Sequence, residues 1–553
     1  MPTDRVPPPW DRVELVVAGT LAAALFVYFY RSFLLTGFDG IFGDLGDARI
    51  LIAILEHWFA WVSGAEPSWS DTAYFHPASG GIGLTDGYVL YGLIYSGFRA
   101  TGLDMFRAFM AVMLVLTAIG FASFIALARA VWGASPLASV TGASLFAFAN
   151  MMAVKIGHAQ GVCAMLLPVV ILLVWYAVAA SRPVGTILAG AAGLLLGLVF
   201  FTAYHTGWFA VSFTLAVFVI HLGLGGSARL RAVAATVFVR HAHLTLGFAV
   251  GLGIGLVPFL AAYLPMLRAG KAYGFDAVVL YAPRFADIVN TGHGNVAWGM
   301  LLTAAGIAAV AGRPLVEVEL GYTPLVFATV CVAVAVCTVR WFRGRGGRRD
   351  DVALALGLAL VGYWLMQLDY FGFRPWSLVW TLVPGSIGVR TTFRSQLVVN
   401  LAACLLVAFA IDRLARPALR RAGPAGIIVL AVLLVGEQVN RSAPSRFWRS
   451  EQTAWLATVP PPPAGCRAFY LSPQPQGGPD WWRLQSDAMI LSAAWRLPTL
   501  NGNASQWPDG WQLDDPADPR YPDRVRAWIA RHHITGPLCG LALDSKTWSR
   551  GAP

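Results

Sequence analysis

Stretches of about twenty consecutive apolar residues recur along this chain, each long enough to cross the ~30 Å hydrocarbon core of a bilayer. They are predicted at about 13–35, 106–131, 136–154, 161–180, 184–203, 207–224, 244–266, 322–341, 352–370, 395–412 and 424–440. Only 12% of the residues are charged, about half the supply of a soluble domain. The expected fold class is therefore a polytopic α-helical membrane protein. It has about eleven transmembrane helices, N-terminus inside and C-terminus outside, and a small α/β domain at its end. The run from Val13 to about Leu35 follows no signal-peptide cleavage pattern and should stay as an anchor.

The formal charge of +11 would point to nucleic acid in a soluble protein. Here the bases lie in short linkers between apolar runs, so they report orientation and no nucleic-acid partner is expected. Arg5 and Arg12 precede the first run, Arg129 ends the second, and Arg182 lies between the fourth and fifth. Arg229, Arg231 and Arg240 follow the sixth, Arg343, Arg345, Arg348 and Arg349 the eighth, and Arg413, Arg416, Arg420 and Arg421 the tenth. All share one side if the N-terminus is cytoplasmic, as the positive-inside rule requires. Arg268, Arg284, Arg390 and Arg394 break the trend. The composition, rich in Ala, Gly and Arg, fits a GC-rich bacterial genome. The expected location is a bacterial inner membrane, with the tail in the periplasm.

Two domains are expected: a transmembrane bundle over 1–440, with a long first outer loop at 37–99, and an outer domain over 441–553. Cys466 and Cys539 lie in that outer domain, where an oxidising compartment permits a bridge between them. Cys163, Cys331, Cys337 and Cys404 fall in apolar runs, where a thiol behaves as a small hydrophobe. In the tail, Cys466–Leu471 and Pro537–Asp544 read as strands, and Gln485–Leu497 and Asp523–His533 have helical spacing. Gly247, Gly251 and Gly255 repeat every four residues in the seventh run, a pattern for close helix packing.

A first loop of this length is no simple connector. Its many Trp, Tyr and Phe residues favour a membrane interface, and Leu51–Trp61 and Tyr88–Phe98 read as amphipathic helices lying on the outer leaflet. Ahead of the first stands Gly43-Asp44-Leu45-Gly46-Asp47-Ala48-Arg49. Two carboxylates three residues apart can converge as a general base toward a hydroxyl, or hold a divalent cation, Mg or Mn, the one cofactor such a pair implies. Helix capping is the plainer role for either Asp. The other versatile side chains fall on the same side: His76 and Asp86, Lys155 and His158, Tyr204 and His205, Glu317 and Glu319. Arg390 and Arg394, four residues apart before the tenth run, would share one helical face near a helix N-terminus, a geometry suited to phosphate. Snorkelling to headgroups is the alternative.

With these features the chain resembles the GT-C class of integral-membrane glycosyltransferases, in particular bacterial multispanning members that depend on a polyprenyl phosphate sugar. The likeness rests on the acidic first-loop motif, Phe75-His76-Pro77, Gly157-His158, the Pro384-Gly385…Arg390…Arg394 stretch and Thr499–Gly502. It implies hexosyl or pentosyl transfer from a polyprenyl-phosphate-linked donor to an envelope glycan, lipid or protein acceptor at the outer face. Asp44 or Asp47 would deprotonate the acceptor, and Arg390, Arg394, Lys155 and His158 would hold the donor phosphate. His76, Asp86, Tyr204, His205, Glu317, Glu319, Asn501, Asn503 and Trp507, with Trp511, would line the substrate cleft. The departure is Ala48 after Asp47, where members of the class usually have Asp-Glu. A multispanning transporter or flippase of an envelope precursor, and a non-catalytic assembly protein, are the rival readings. Transporters place ionisable residues near the bilayer midplane, and few fall there in this chain.

Overall fold

The computed structural model describes residues 12–271, 273–308, 315–419, 421, 423–441, 446–473 and 481–553; Arg5 and Arg420 lie outside them. Among the described residues nine helices are long and apolar enough to cross a membrane. They are α1 (Arg12–Phe29), α4 (Met105–Trp132), α5 (Pro136–Lys155), α6 (Ala159–Ala179), α7 (Arg182–Thr202), α8 (Tyr204–Ser227), α9 (Ala242–Arg268), α10 (Pro324–Phe342) and α12 (Thr392–Ala418). The other two predicted runs are helices as well, but poorer spans. In α11 (Arg348–Gln367) the first turn carries Arg348, Arg349, Asp350 and Asp351. The helix α13 (Gly423–Gly436) has 14 residues, about 21 Å against a ~30 Å core. Among the described residues nine of the eleven predicted runs thus qualify as spans by length and hydropathy, and all eleven are helical.

Small residues let α7 and α9 approach closely. A Cβ on Gly251 would collide with the Gly190 carbonyl, so the four-residue glycine repeat is a packing device.

The linkers sort by end. At one end Glu14 pairs with Arg416 at 2.5 Å, the Ser135 N–H donates to Asp412 at 2.6 Å, and Arg229 meets Asp351 at 2.7 Å. The other end carries the first loop, with β1 (Gly40–Phe42), α2 (Asp47–Val62) and α3 (Val89–Ala100). It also carries the tail: β2 (Arg446–Trp448), α14 (Arg449–Thr458), β3 (Ala468–Leu471), α15 (Trp481–Trp495), α16 (Tyr521–Arg531), β4 (Leu538–Ala542) and β5 (Thr547–Arg550).

Loop and tail are built into each other. β1 pairs antiparallel with β2, Gly40 opposite Trp448, while β3 and β4 run parallel and β5 closes the three-stranded sheet antiparallel to β4. Cys466 and Cys539 are joined by a disulfide with Cα atoms 5.9 Å apart. The backbone of 73–76 hydrogen-bonds to the Thr-Leu-Asn element: the Phe75 N–H to the Asn501 carbonyl at 3.0 Å, the His76 N–H to that of Thr499 at 2.9 Å. Consequently α2 does not lie on a leaflet. Nearly every residue from Ala48 to Trp58 is buried, because α15 and α3 pack against it. Arg49, 3% exposed, pairs with Asp487 of α15 and donates to Gln452 of α14.

Candidate active site

The acidic motif forms a turn that aims Asp47 away from its own helix. Gly43 has φ +103 and packs on Ala48, so the chain reverses there without a side chain in the way. Asp44 closes the turn, its Oδ1 accepting the Gly46 N–H at 2.9 Å. Asp47 is the first residue of α2 and caps nothing: the N-cap is Gly46, without a side-chain hydrogen bond. Its Oδ2 lies 2.6 Å from His158 Nδ1. Burial raises the Asp47 carboxyl, but the His158 hydrogen bond and the charges of His158, Arg394 and Lys155 together hold it below its ordinary value.

Beside this pair a second knot of charge forms. Glu317 accepts from Lys155 Nζ at 2.6 Å and from Arg394 Nε at 3.0 Å and Nη2 at 2.6 Å. Burial opposes its ionisation, yet the Arg394 fork and the Lys155 ammonium hold the carboxyl far below the carboxylate range. Lys155 and Arg394 therefore share a carboxylate and do not form a free phosphate cradle; two cations and one anion leave one net positive charge.

The two arginines do not share a helical face. Residues 392–395 form a 3-10 turn and Thr391 is not helical (φ −107, ψ 86), which breaks the four-residue register that an α-helix would give. Arg390 instead lies over the Tyr273 and Tyr281 rings, 5.1 and 5.9 Å from their centroids, and among the described residues no carboxylate pairs with it. Burying its flat face on rings leaves the guanidinium edge for another partner.

Tyr273, on which Arg390 stacks, lines an apolar cavity of about 1100 Å³. Val211, Leu215 and Val219 of α8, Leu260 of α9 and Tyr363 of α11 line it, and its polar end holds Asp86, Tyr204, His205 and Lys271. Asp86 accepts the Tyr204 N–H at 3.0 Å. Burial pushes its carboxyl up to about 6, against the lowering effects of that N–H and of Arg394. The Tyr204 hydroxyl donates to the Gly385 carbonyl at 2.5 Å. His205 has both ring nitrogens buried with no hydrogen-bond partner among the described residues. It also lines a narrow pocket with Lys155, His158, Gln160 and Arg394, so the imidazole stands between the cavity and the charged cluster.

The structure thus brings together Asp47, Asp86, Lys155, His158, Tyr204, His205, Glu317 and Arg394, with Arg390 nearby on the cavity-lining Tyr273. Other sequence-predicted site residues have different roles. Asn501 is fully buried: its Oδ1 accepts the Leu471 N–H, and its Nδ2 donates to Gln485 and the Tyr521 hydroxyl. It holds the tail together and has no polar atom left for a substrate. His76 serves as backbone, its carbonyl accepting the Trp528 indole N–H at 2.9 Å. Glu319 faces His293, 3.8 Å away, and Asn503 is half-buried in the tail. Trp507 is exposed, edge-on to Trp481, and its carbonyl accepts from Lys271. Sequence reasoning missed Lys271 and Tyr273, which carry no periodic or motif signal. For a divalent cation the donor set does not fit: Asp47 is joined to an imidazole and Asp44 to a backbone N–H. Among the described residues no group of three His, Cys, Asp or Glu side chains is placed to hold a metal ion.

No family model and no curated protein matches the sequence. Its fold does match solved structures. The apo oligosaccharyltransferase of Archaeoglobus fulgidus superposes with a TM-score of 0.51 at 12% identity, over 98% of this chain and 75% of that one. ArnT from Cupriavidus metallidurans in the apo state gives 0.47 at 14% identity, over 95% and 92%. The same enzyme bound to undecaprenyl phosphate gives 0.37 at 15%, over 88% and 86%.

Proposed function

We propose that this chain, a multispanning membrane protein with the GT-C glycosyltransferase fold, moves a sugar from a polyprenyl phosphate carrier to a hydroxyl-bearing envelope acceptor at the extracytoplasmic face. The observation that carries the reading is the apolar cavity with its chemistry gathered at one end. An isoprenoid chain is apolar along its whole length and ends in a phosphate. A cavity walled by α8, α9 and α11 fits the chain, and cationic and N–H groups at its end fit the headgroup.

Those groups divide the work. Arg390, with no carboxylate partner among the described residues, and His205, whose ring nitrogens have no hydrogen-bond partner among them, receive the phosphate; the net positive charge of the Lys155–Glu317–Arg394 cluster adds attraction as the leaving group gains charge. Asp47 and His158 face the acceptor hydroxyl. The chemistry is a displacement at the anomeric carbon, with the lipid phosphate as leaving group.

The test is transfer of radiolabelled sugar from synthetic undecaprenyl phosphate hexoses and pentoses in proteoliposomes holding the full chain and an envelope extract. Arg390→Ala is expected to lower transfer by about 100-fold, the size of one lost charge-stabilising donor. Full activity in both the Asp44→Ala and Asp47→Ala variants removes the acidic motif from the reaction. Movement of the lipid across the bilayer without a new glycosidic product supports the flippase reading instead.

A further inference from the structure

The first-loop carboxylate and the Gly-His element come from chain segments about 110 residues apart and meet in one short contact, Asp47 Oδ2 to His158 Nδ1 at 2.6 Å. Resting on the glycosyl-transfer reading, we propose that His158 Nε2 is the proton acceptor for the incoming hydroxyl, and that Asp47 is the positioning residue that orients the ring.

A carboxylate on Nδ1 fixes the neutral imidazole as the Nδ1–H tautomer and leaves the lone pair on Nε2. His158 is held by its backbone as well: its N–H donates to the Lys155 carbonyl at 2.9 Å, and its own carbonyl accepts the Gly161 N–H at 3.2 Å. Among the described residues Nε2 has no partner, and the side chain is 27% exposed. The ring lines the narrow pocket that it shares with His205 and Arg394, which places a base beside the groups assigned to the donor. Asp44 offers no equal, since its carboxylate is turned onto the Gly46 N–H.

The step balances. The acceptor oxygen forms a bond to the anomeric carbon as its proton passes to Nε2. The bond from that carbon to the phosphate oxygen breaks, and its electron pair leaves with the lipid phosphate. The imidazolium is stabilised by Asp47 and returns its proton to solvent through its exposed edge.

Undecaprenyl phosphate hexose and pentose donors in proteoliposomes of the full chain test this. His158→Gln keeps an N–H for Asp47 but has no basic nitrogen, so kcat is expected to fall by about 100-fold with donor KM within about threefold. Asp47→Ala is expected to lower kcat at unchanged donor KM, and added imidazole to raise the rate of His158→Gly by about tenfold. A glutamine variant within about threefold of wild type overturns the inference while leaving glycosyl transfer intact. Inactive His158→Gly that imidazole does not revive overturns it too, making the contact a structural tie. Wild-type protein that yields no glycoside from any donor overturns the transfer reading itself.

Discussion

At Asp86 the carboxyl is pushed up to about 6 by burial at the cavity end, against the Tyr204 N–H and the Arg394 charge. A carboxyl raised in the folded state binds its proton more tightly there than in the unfolded chain. Stability therefore falls as pH rises from the ordinary carboxylate range to about 6, and stays at the lower level above it. Asparagine keeps an acceptor for the Tyr204 N–H and removes the charge. Asp86→Asn is expected to raise the thermal midpoint of the detergent-solubilised protein at about pH 7.5, with the gain gone by about pH 4. A gain of equal size at both pH values would show that the buried charge is not its cause. Single residues were legible where chemistry and side of membrane coincided: Asp47, Asp86, His158, His205 and Arg394 were all read from their place in outer loops, and they converge. Arg390 and Arg394 were misread as one face because an i, i+4 pair implies a helix only where the backbone is helical. Asn501 was misread because a buried amide bonded to three tail groups and a substrate-binding amide look alike in sequence.

Between elements, the tie of α2 to the tail carries a charge. Arg49 is 3% exposed and Asp487 14%, and Gln452 accepts from the same guanidinium. Removing one partner strands the other in a poorly solvated site, so Arg49→Ala is expected to destabilise the protein by about 3–5 kcal/mol. Arg49→Met with Asp487→Leu removes both charges and should recover much of that loss. Denaturation of the wild type, Arg49→Met, Asp487→Leu and the double variant, run as a double-mutant cycle, measures the coupling; additive losses would mean that the two side chains do not depend on each other. Helix positions were legible from hydrophobic run length and from the mixture of apolar residues and glycine that lets α7 and α9 touch. The burial of α2 was not. Its polar-to-apolar pattern fits a leaflet surface as well as a protein one, and only the α14 and α15 helices of the tail, some 400 residues later, decide which surface it meets.

For the whole molecule, the sorting of charge between two ends joins fold to function. One end gathers arginine-rich linkers, braced by Glu14, Asp351 and Asp412; the other gathers imidazoles, carboxylates, the cavity's polar end and a disulfide-bonded tail. Arginine is retained on the cytoplasmic side of a bilayer, and disulfides persist on the oxidising side. The two signals independently support the proposed orientation, in which the polar end of the cavity faces out. Ser545 is an exposed residue of the tail and Ser227 an exposed residue at the arginine-rich end, while three of the four free thiols are buried. In intact spheroplasts a membrane-impermeant maleimide should label the Ser545→Cys variant at once and the Ser227→Cys variant only after permeabilisation. A reversed pattern would put the proposed site in the cytosol, where a disulfide would be reduced. Neither the tail's cross-link nor a lipid-linked donor would then have a physical reason to be there.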